Sequence, residues 1–179
     1  FEIKSLQEPS RPFIDDFLIQ YREVISLGDD QIDNQQRFRS AMEHALAGPE
    51  AMLDFVATEL ELDGANRGLL EQVAASIRLS LAESEFPDGQ ISGTSHRWGH
   101  VLHECKRQAQ TGKGKIIVFT SFSQSAEKFV ELLRSLIGPH AVRHHLVSDT
   151  SEEQEQAVQE FLYGNTCRVL VCDHSAEEG

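Results

Sequence analysis

The chain has 179 residues, 40% of them hydrophobic and 25% charged, with a formal net charge of −13. That length can hold one domain or one and a half and bury a sizeable core, and the composition is ordinary for a soluble globular protein. No run of about 18 apolar residues marks a membrane span, no charged-then-apolar amino end marks a secretory signal, and the cysteines Cys105, Cys167 and Cys172 are too few and too scattered for a disulfide scaffold, so a reducing cytoplasm is the expected compartment.

The charge is uneven. Residues 1–95 carry 18 acidic and 7 basic side chains, a net of −11, and residues 96–179 carry 11 and 9, a net of −2. A negative surface repels phosphates, so this chain by itself is expected to bind DNA poorly at physiological salt.

The first half has helical periodicity throughout. From Ser10 to Leu27, Phe13, Ile14, Phe17, Leu18, Tyr21, Val24 and Ile25 recur at spacings of three and four, with Ser10 as a candidate cap and Gly28 as a stop. A second helix is expected from about Asp33 to Ala47, burying Phe38, Ala41, Met42, Ala45 and Leu46. A third starts at Pro49 and buries Met52, Leu53, Val56 and Leu60; a fourth carries Leu69, Leu70, Val73, Ala74, Ile77 and Leu81. One apolar stripe per helix describes a helical bundle. The stretch FPDGQISGTS collects turn formers, so the division is placed near it, with a helical region at 1–90 and a second region at 91–179.

Beyond that point the period changes. Ser95 can cap a fifth helix that buries Trp98, Val101, Leu102 and Cys105. KIIVFT (115–120) has no polar alternation and predicts a strand buried on both faces. An amphipathic helix from about Ser123 to Ile137, a strand in AVRHHLV, a helix with capping-box spacing between Thr150 and Glu153 and a stop at Gly164, and a strand in CRVLVCD follow in turn. Strand, helix, strand, helix, strand predicts a parallel sheet with crossover helices, so the fold class is α/β in the second half behind an all-α first half.

In open parallel sheets ligands gather at the carboxyl ends of the strands, here TSFSQS, VSDTSEE and CDHSAEEG. Small hydroxyl residues there can either contact a phosphate or merely cap the helices. TGKGK is no phosphate loop: the required upstream Gly and following hydroxyl are missing, and the strand comes after rather than before. His96, His100 and His103 with Glu104 share one helix face, but no Cys-x-x-Cys or His-Glu-x-x-His string accompanies them, so no metal is assigned. His144 and His145 alternate across a strand, so at most one faces a given site; Cys167 and Cys172 are expected on opposite faces. A Ser-His-Asp arrangement is compatible with the composition, although no Gly-x-Ser-x-Gly elbow exists.

The succession of Lys115 to Phe122, Ser151 to Phe161 and Val169 to Gly179 resembles the opening of the second RecA-like lobe of superfamily 2 helicases, especially the Swi/Snf-type, RapA-like DNA translocases, over about residues 96–179. The resemblance implies ATP-driven movement on duplex DNA. It puts Thr120, Ser121 and Phe122 at the interlobe face near the nucleic-acid backbone, together with Asp173, His174 and Ser175, and it makes Glu177, Glu178 and Gly179 part of a loop toward the nucleotide cleft. Many relatives have Ser-Thr where this chain has Cys172-Asp173; a carboxylate there repels phosphate and leaves the hydroxyl role to Ser175.

The resemblance further implies ATP and Mg as cofactors of a larger parent protein. The first lobe with its phosphate loop and Asp-Glu pair, and the rest of the second lobe with its arginine, are expected outside this segment, with residues 1–95 in the position of an interlobe insertion. Phosphoryl transfer needs cradle, metal and arginine together, so the segment alone is expected to bind no cofactor and to be inactive. A sheet edge without its neighbours is expected to make the segment self-associate. The competing expectations are a non-catalytic acidic α/β protein-interaction module and a small-molecule enzyme with a flavodoxin-like sheet.

Overall fold

A computed structural model describes residues 8–26, 31–62, 66–83, 93–112 and 114–177. The chain divides into two compact units, Phe1–Trp98 and Gly99–Gly179. No helix among the described residues is long and apolar enough to cross a membrane.

The first unit contains α1 (Arg11–Ile25), α2 (Gln31–Ala47), α3 (Pro49–Leu62) and α4 (Arg67–Ala82). α1 packs on α2 and α4, and α3 packs on the same two helices, so the four stripes close around one core. Ile14, Phe17, Tyr21 and Ile25 come from α1, Met52, Phe55 and Val56 from α3, and Leu70, Val73, Ile77 and Leu81 from α4. Among the described side chains of α2 only Ala41 and Ala45 are fully buried. Met42 and Leu46, expected inside, are exposed, as are Phe13 and Val24 of α1, because each helix meets its neighbours over a narrower arc than its apolar residues span.

Phe55, absent from the predicted stripe, is the centre of an aromatic cluster: its ring lies 5.7 Å from Tyr21, 6.4 Å from Phe17 and 5.5 Å from His44. Ser10 stands at the N-cap position of α1, but its backbone is already helical there and its hydroxyl donates to Glu8 instead of capping. The expected stop at Gly28 lies outside the described residues.

Three helices are also tied by one buried polar network. Tyr21 Oη donates to Glu59 Oε2 at 2.6 Å, and Arg37 donates to the same oxygen through Nε at 3.0 Å and through Nη2. Glu59 is 4% exposed, and the guanidinium and the phenol that meet it offset the cost of burying so polar a side chain. Burial, and then the adjacent carboxylate, push the Tyr21 phenol well above its ordinary range.

α5 (His96–Thr111) carries the chain into the second unit, where β1 (Ile116–Phe119), α6 (Ser123–Ile137), β2 (Val142–His145), α7 (Ser151–Tyr163) and β3 (Val169–Cys172) follow, with single 3-10 turns at Pro139–Ala141 and His174–Glu177. The three strands form a parallel sheet in the order β1-β3-β2. Ile116 pairs with Val169 on one side of β3 and Val142 on the other. The last strand in sequence is therefore the central one, and all four of its residues are buried.

β1 departs from the expectation of a strand covered on both faces. Ile117 is 48% and Phe119 58% exposed, alternating with better-covered neighbours. Register explains this: Ile117 and Phe119 stand opposite Leu170 and Cys172, and paired residues of a sheet share a face. On that face α7 lies over β2 and β3, packing Ala157 and Phe161 against Leu170 and Cys172, and β1 is at the edge. Cys167 joins the same cluster as Cys172, contrary to the expected opposite faces, because strand geometry begins only at Val169 and alternation does not extend back to residue 167.

Both ends of α7 are held by side chains. At its start Thr150 and Glu153 form a reciprocal capping box: Thr150 N–H donates to Glu153 Oε2 at 2.8 Å, and Glu153 N–H donates to Thr150 Oγ1 at 3.3 Å. At its end Lys115 Nζ donates to the carbonyls of Phe161, Leu162 (3.1 Å) and Gly164 (2.9 Å), and lies 5.6 Å from the Phe161 ring centroid. A cation thus meets the negative end of the helix dipole and the carbonyls that the last turn leaves unpaired. Gly164 makes the tight exit possible, since a Cβ there would stand 2.3 Å from the Glu160 carbonyl oxygen.

Candidate functional site

The carboxyl ends of the three strands meet around one carboxylate. Asp173, the residue after β3, is fully buried. Its Oδ2 accepts from Ser123 Oγ, the first residue of α6, at 2.5 Å and from the Val147 N–H beyond β2 at 2.9 Å. Its Oδ1 accepts from the Ser175 N–H at 3.0 Å and from Ser175 Oγ at 2.6 Å. One side chain therefore joins the loops that follow all three strands. Burial by itself raises the pKa of such a group, but the donors from Ser123, Ser175 and Val147 outweigh it and hold Asp173 down at about 2.

Around this centre, Thr120 N–H continues the ladder by donating to the Cys172 carbonyl at 2.9 Å, and Thr120 Oγ1 donates to the Phe122 carbonyl at 3.1 Å. Ser121 is exposed, and Phe122 and Ser175 are half-buried. His174 is exposed at the start of the 3-10 turn. Ser175 Oγ also lies 3.4 Å from His145 Nδ1. Thr120, Ser121, Phe122, His174 and Ser175 thus line the strand-end side with Asp173 beneath them. The side chain of Glu177, and Glu178 and Gly179 altogether, lie outside the described residues.

Ser, His and Asp are all present here, but not in the order of a nucleophilic triad. In a triad the imidazole takes the serine proton and the carboxylate holds the imidazole. Here Ser175 donates its hydroxyl hydrogen bond to Asp173 directly, and the Asp173 carboxylate bonds no imidazole among the described residues. Its four donors also leave Asp173 poorly disposed to act as a general base or to take a cation. What the arrangement can do is hold three loops, with their exposed hydroxyls and His174, in a fixed relation.

The two adjacent histidines enter different networks, as strand alternation requires. His145 reaches Ser175, whereas His144 Nδ1 stands 3.0 Å from Asp149 Oδ2, which also accepts the Leu146 N–H at 2.8 Å. His144 and Asp149 line a cleft of about 170 Å³ between β2 and α7, with Arg143, Glu153 and Glu160. Arg143 pairs with Glu160, and the acidic groups of the cleft are otherwise engaged by the Thr150 cap and by Gln156. The Asp149 and Lys115 roles were not anticipated; the capping-box string SDTSEE was the one local signal of an ordered loop there.

No group of three or more His, Cys, Asp or Glu side chains is arranged to hold a metal ion among the described residues. Cys105, Cys167 and Cys172 are free and buried, and burial raises all three thiols, Cys105 and Cys172 to about 11, so they are poor nucleophiles. No family model matches the chain, and neither a curated protein nor a solved structure matches it.

Proposed function

We propose that the chain is part of an ATP-dependent duplex-DNA translocase, with residues 99–179 belonging to a second RecA-like lobe and the acidic helical unit serving as an insertion ahead of it. The observation that carries the reading is the joining of the loops after all three parallel strands by Asp173, which presents Thr120, Ser121, Phe122, His174 and Ser175 along one edge. A lobe of a motor must transmit force between its nucleic-acid contacts and its nucleotide cleft without its loops shifting, and a buried, fully bonded carboxylate at their junction provides that stiffness. The buried position of Asp173 also removes the conflict between its charge and a DNA phosphate, because its two oxygens face protein donors.

ATP and Mg belong, in this reading, to the complete protein, whose other lobe brings the phosphate loop and whose remaining second-lobe sequence brings the arginine. The outer edge of β1, with Ile117 and Phe119 uncovered, is assigned to further strands of the same lobe; without them, copies of the chain associate there. The test is ATP hydrolysis by the complete protein with and without duplex DNA. DNA-stimulated hydrolysis supports the reading. A folded complete protein that hydrolyses no ATP under either condition overturns it in favour of a non-catalytic module whose acidic helical unit, net −11 over residues 1–95, docks a basic partner.

A further inference from the structure

Thr94 and Ser95, both buried, lead the chain into α5 while still within the first unit. Ser95 caps that helix, its Oγ accepting the Trp98 N–H at 3.2 Å. Its own N–H donates to Glu50 Oε1, in the first turn of α3, at 2.6 Å. Glu50 is 8% exposed, and its second oxygen, Oε2, has no hydrogen-bond partner. Thr94 Oγ1, one residue from the Ser95 contact, is likewise buried and without a partner.

Such a carboxylate is half satisfied: one oxygen has a good donor and the other is buried with no protein donor among the described residues. The space beside it exists because residue 48 is glycine. A Cβ there would stand 2.7 Å from Arg97 Nη2 and 3.7 Å from Glu50 Oε2, and the backbone at Gly48 has φ +128°, which side chains rarely adopt. Among the described residues, the charged groups around Glu50 are Glu8 ahead of α1, Asp54 one turn along α3, and Arg97 in α5.

We propose that Glu50 is a proton-operated latch on the amino end of α5: protonated, it keeps the Ser95 corner closed, and ionised, it favours opening of that corner so that the carboxylate reaches water. The inference rests on the first unit alone and is independent of the translocase reading.

The direction follows from linkage. Burial is the largest influence on Glu50 and raises its pKa, Glu8 adds to the rise, and the Ser95 donors offset only part of it. The closed corner therefore binds the proton more tightly than a solvated carboxylate does, and whichever state binds a proton more tightly is favoured as pH falls. The latch tightens on acidification and loosens as pH rises through the closed-state pKa. Each pKa unit between closed and open states is a tenfold change in the opening equilibrium.

The experiment is amide hydrogen exchange at Ser95 and Trp98 in the whole chain between about pH 5 and 8, corrected for intrinsic exchange, with the Glu50 carboxyl carbon followed by NMR over the same range. The expected result is a Glu50 midpoint above 4.5, protection at Ser95 and Trp98 that falls as pH rises through it, and flat protection in Glu50→Gln. A midpoint at or below 4.5, or the same pH dependence in Glu50→Gln as in the unsubstituted chain, overturns the latch. Should Glu50→Gln fail to fold, the carboxyl titration of the unsubstituted chain decides by itself.

Discussion

Ser123 donates its hydroxyl to Asp173 at 2.5 Å, joining the start of α6 to the end of β3 across 50 residues of sequence. The contact is possible because β3, last in the chain, lies between the two earlier strands and pairs directly with β1. Everything at the carboxyl edge is arranged around that central position.

Replacing Asp173 by alanine strands Ser123 Oγ, the Val147 N–H and two donors of Ser175 in a buried place, and is expected to destabilise the second unit by about 3 kcal/mol. Asparagine keeps the shape but turns an acceptor oxygen into a donor and is expected to cost nearly as much. The pH dependence has a defined sign. The folded pKa, about 2, lies below the ordinary 3.8, so this stabilisation is fully present above 3.8 and is lost as pH falls through the window from 3.8 to 2. Its full size is on the order of 2 kcal/mol. Acid denaturation monitored at β3 amides by hydrogen exchange checks it, and an Asp173→Asn chain that unfolds at the same pH as the original removes Asp173 from the role.

Lys115→Met keeps the aliphatic stem of the side chain and deletes the ammonium that caps α7. The expected loss is about 1–2 kcal/mol in urea denaturation, with early exchange concentrated in the last turn of α7. An unchanged transition midpoint would sink the cap as a source of stability.

In the helical unit, the Tyr21–Glu59–Arg37 network predicts an order of effects. Tyr21→Phe removes one of the donors to Glu59 and is expected to destabilise by about 1–2 kcal/mol, whereas Arg37→Ala leaves a buried carboxylate without its counter-charge and is expected to destabilise by about 3 kcal/mol or more. Denaturant melts of the two variants test the order. Equal effects would mean that the counter-charge of Arg37 contributes no more than the Tyr21 hydroxyl does.

The outer face of β1 predicts association. Sedimentation velocity is expected to show a mass that rises with concentration for the unsubstituted chain, and a monomer for Ile117→Lys, because a charged side chain on an edge strand opposes strand addition without entering the core. A monomer at every concentration for both chains would show that Ile117 and Phe119 are tolerated in water.

Much of this protein was legible from local pattern alone. Apolar spacing of three and four located α1 to α7, β-branched runs located the strands, and Thr150 with Glu153 announced a capping box that is present as expected, since all of these are governed by neighbours within about one helical turn. Local pattern misplaced whatever depends on distant partners. KIIVFT looked fully buried because its side chains are apolar, yet β1 lies at the edge and half of them face out. Ser10 had the chemistry of a cap and not the backbone, while Phe55 fell off its helix's predicted stripe and became the centre of the aromatic cluster.

The elements and their order follow from local sequence, because hydrophobic periodicity and turn chemistry are properties of short stretches. Packing within each unit decided that β3 is central, that one buried aspartate joins the loops after all three strands, that Lys115, just ahead of β1, ends α7, and that Glu50 holds the start of α5. Each of these includes a contact between residues 45 or more positions apart or depends on which strand the sheet places in its centre, and such pairings are selected by the packing of the whole unit and not by any single segment.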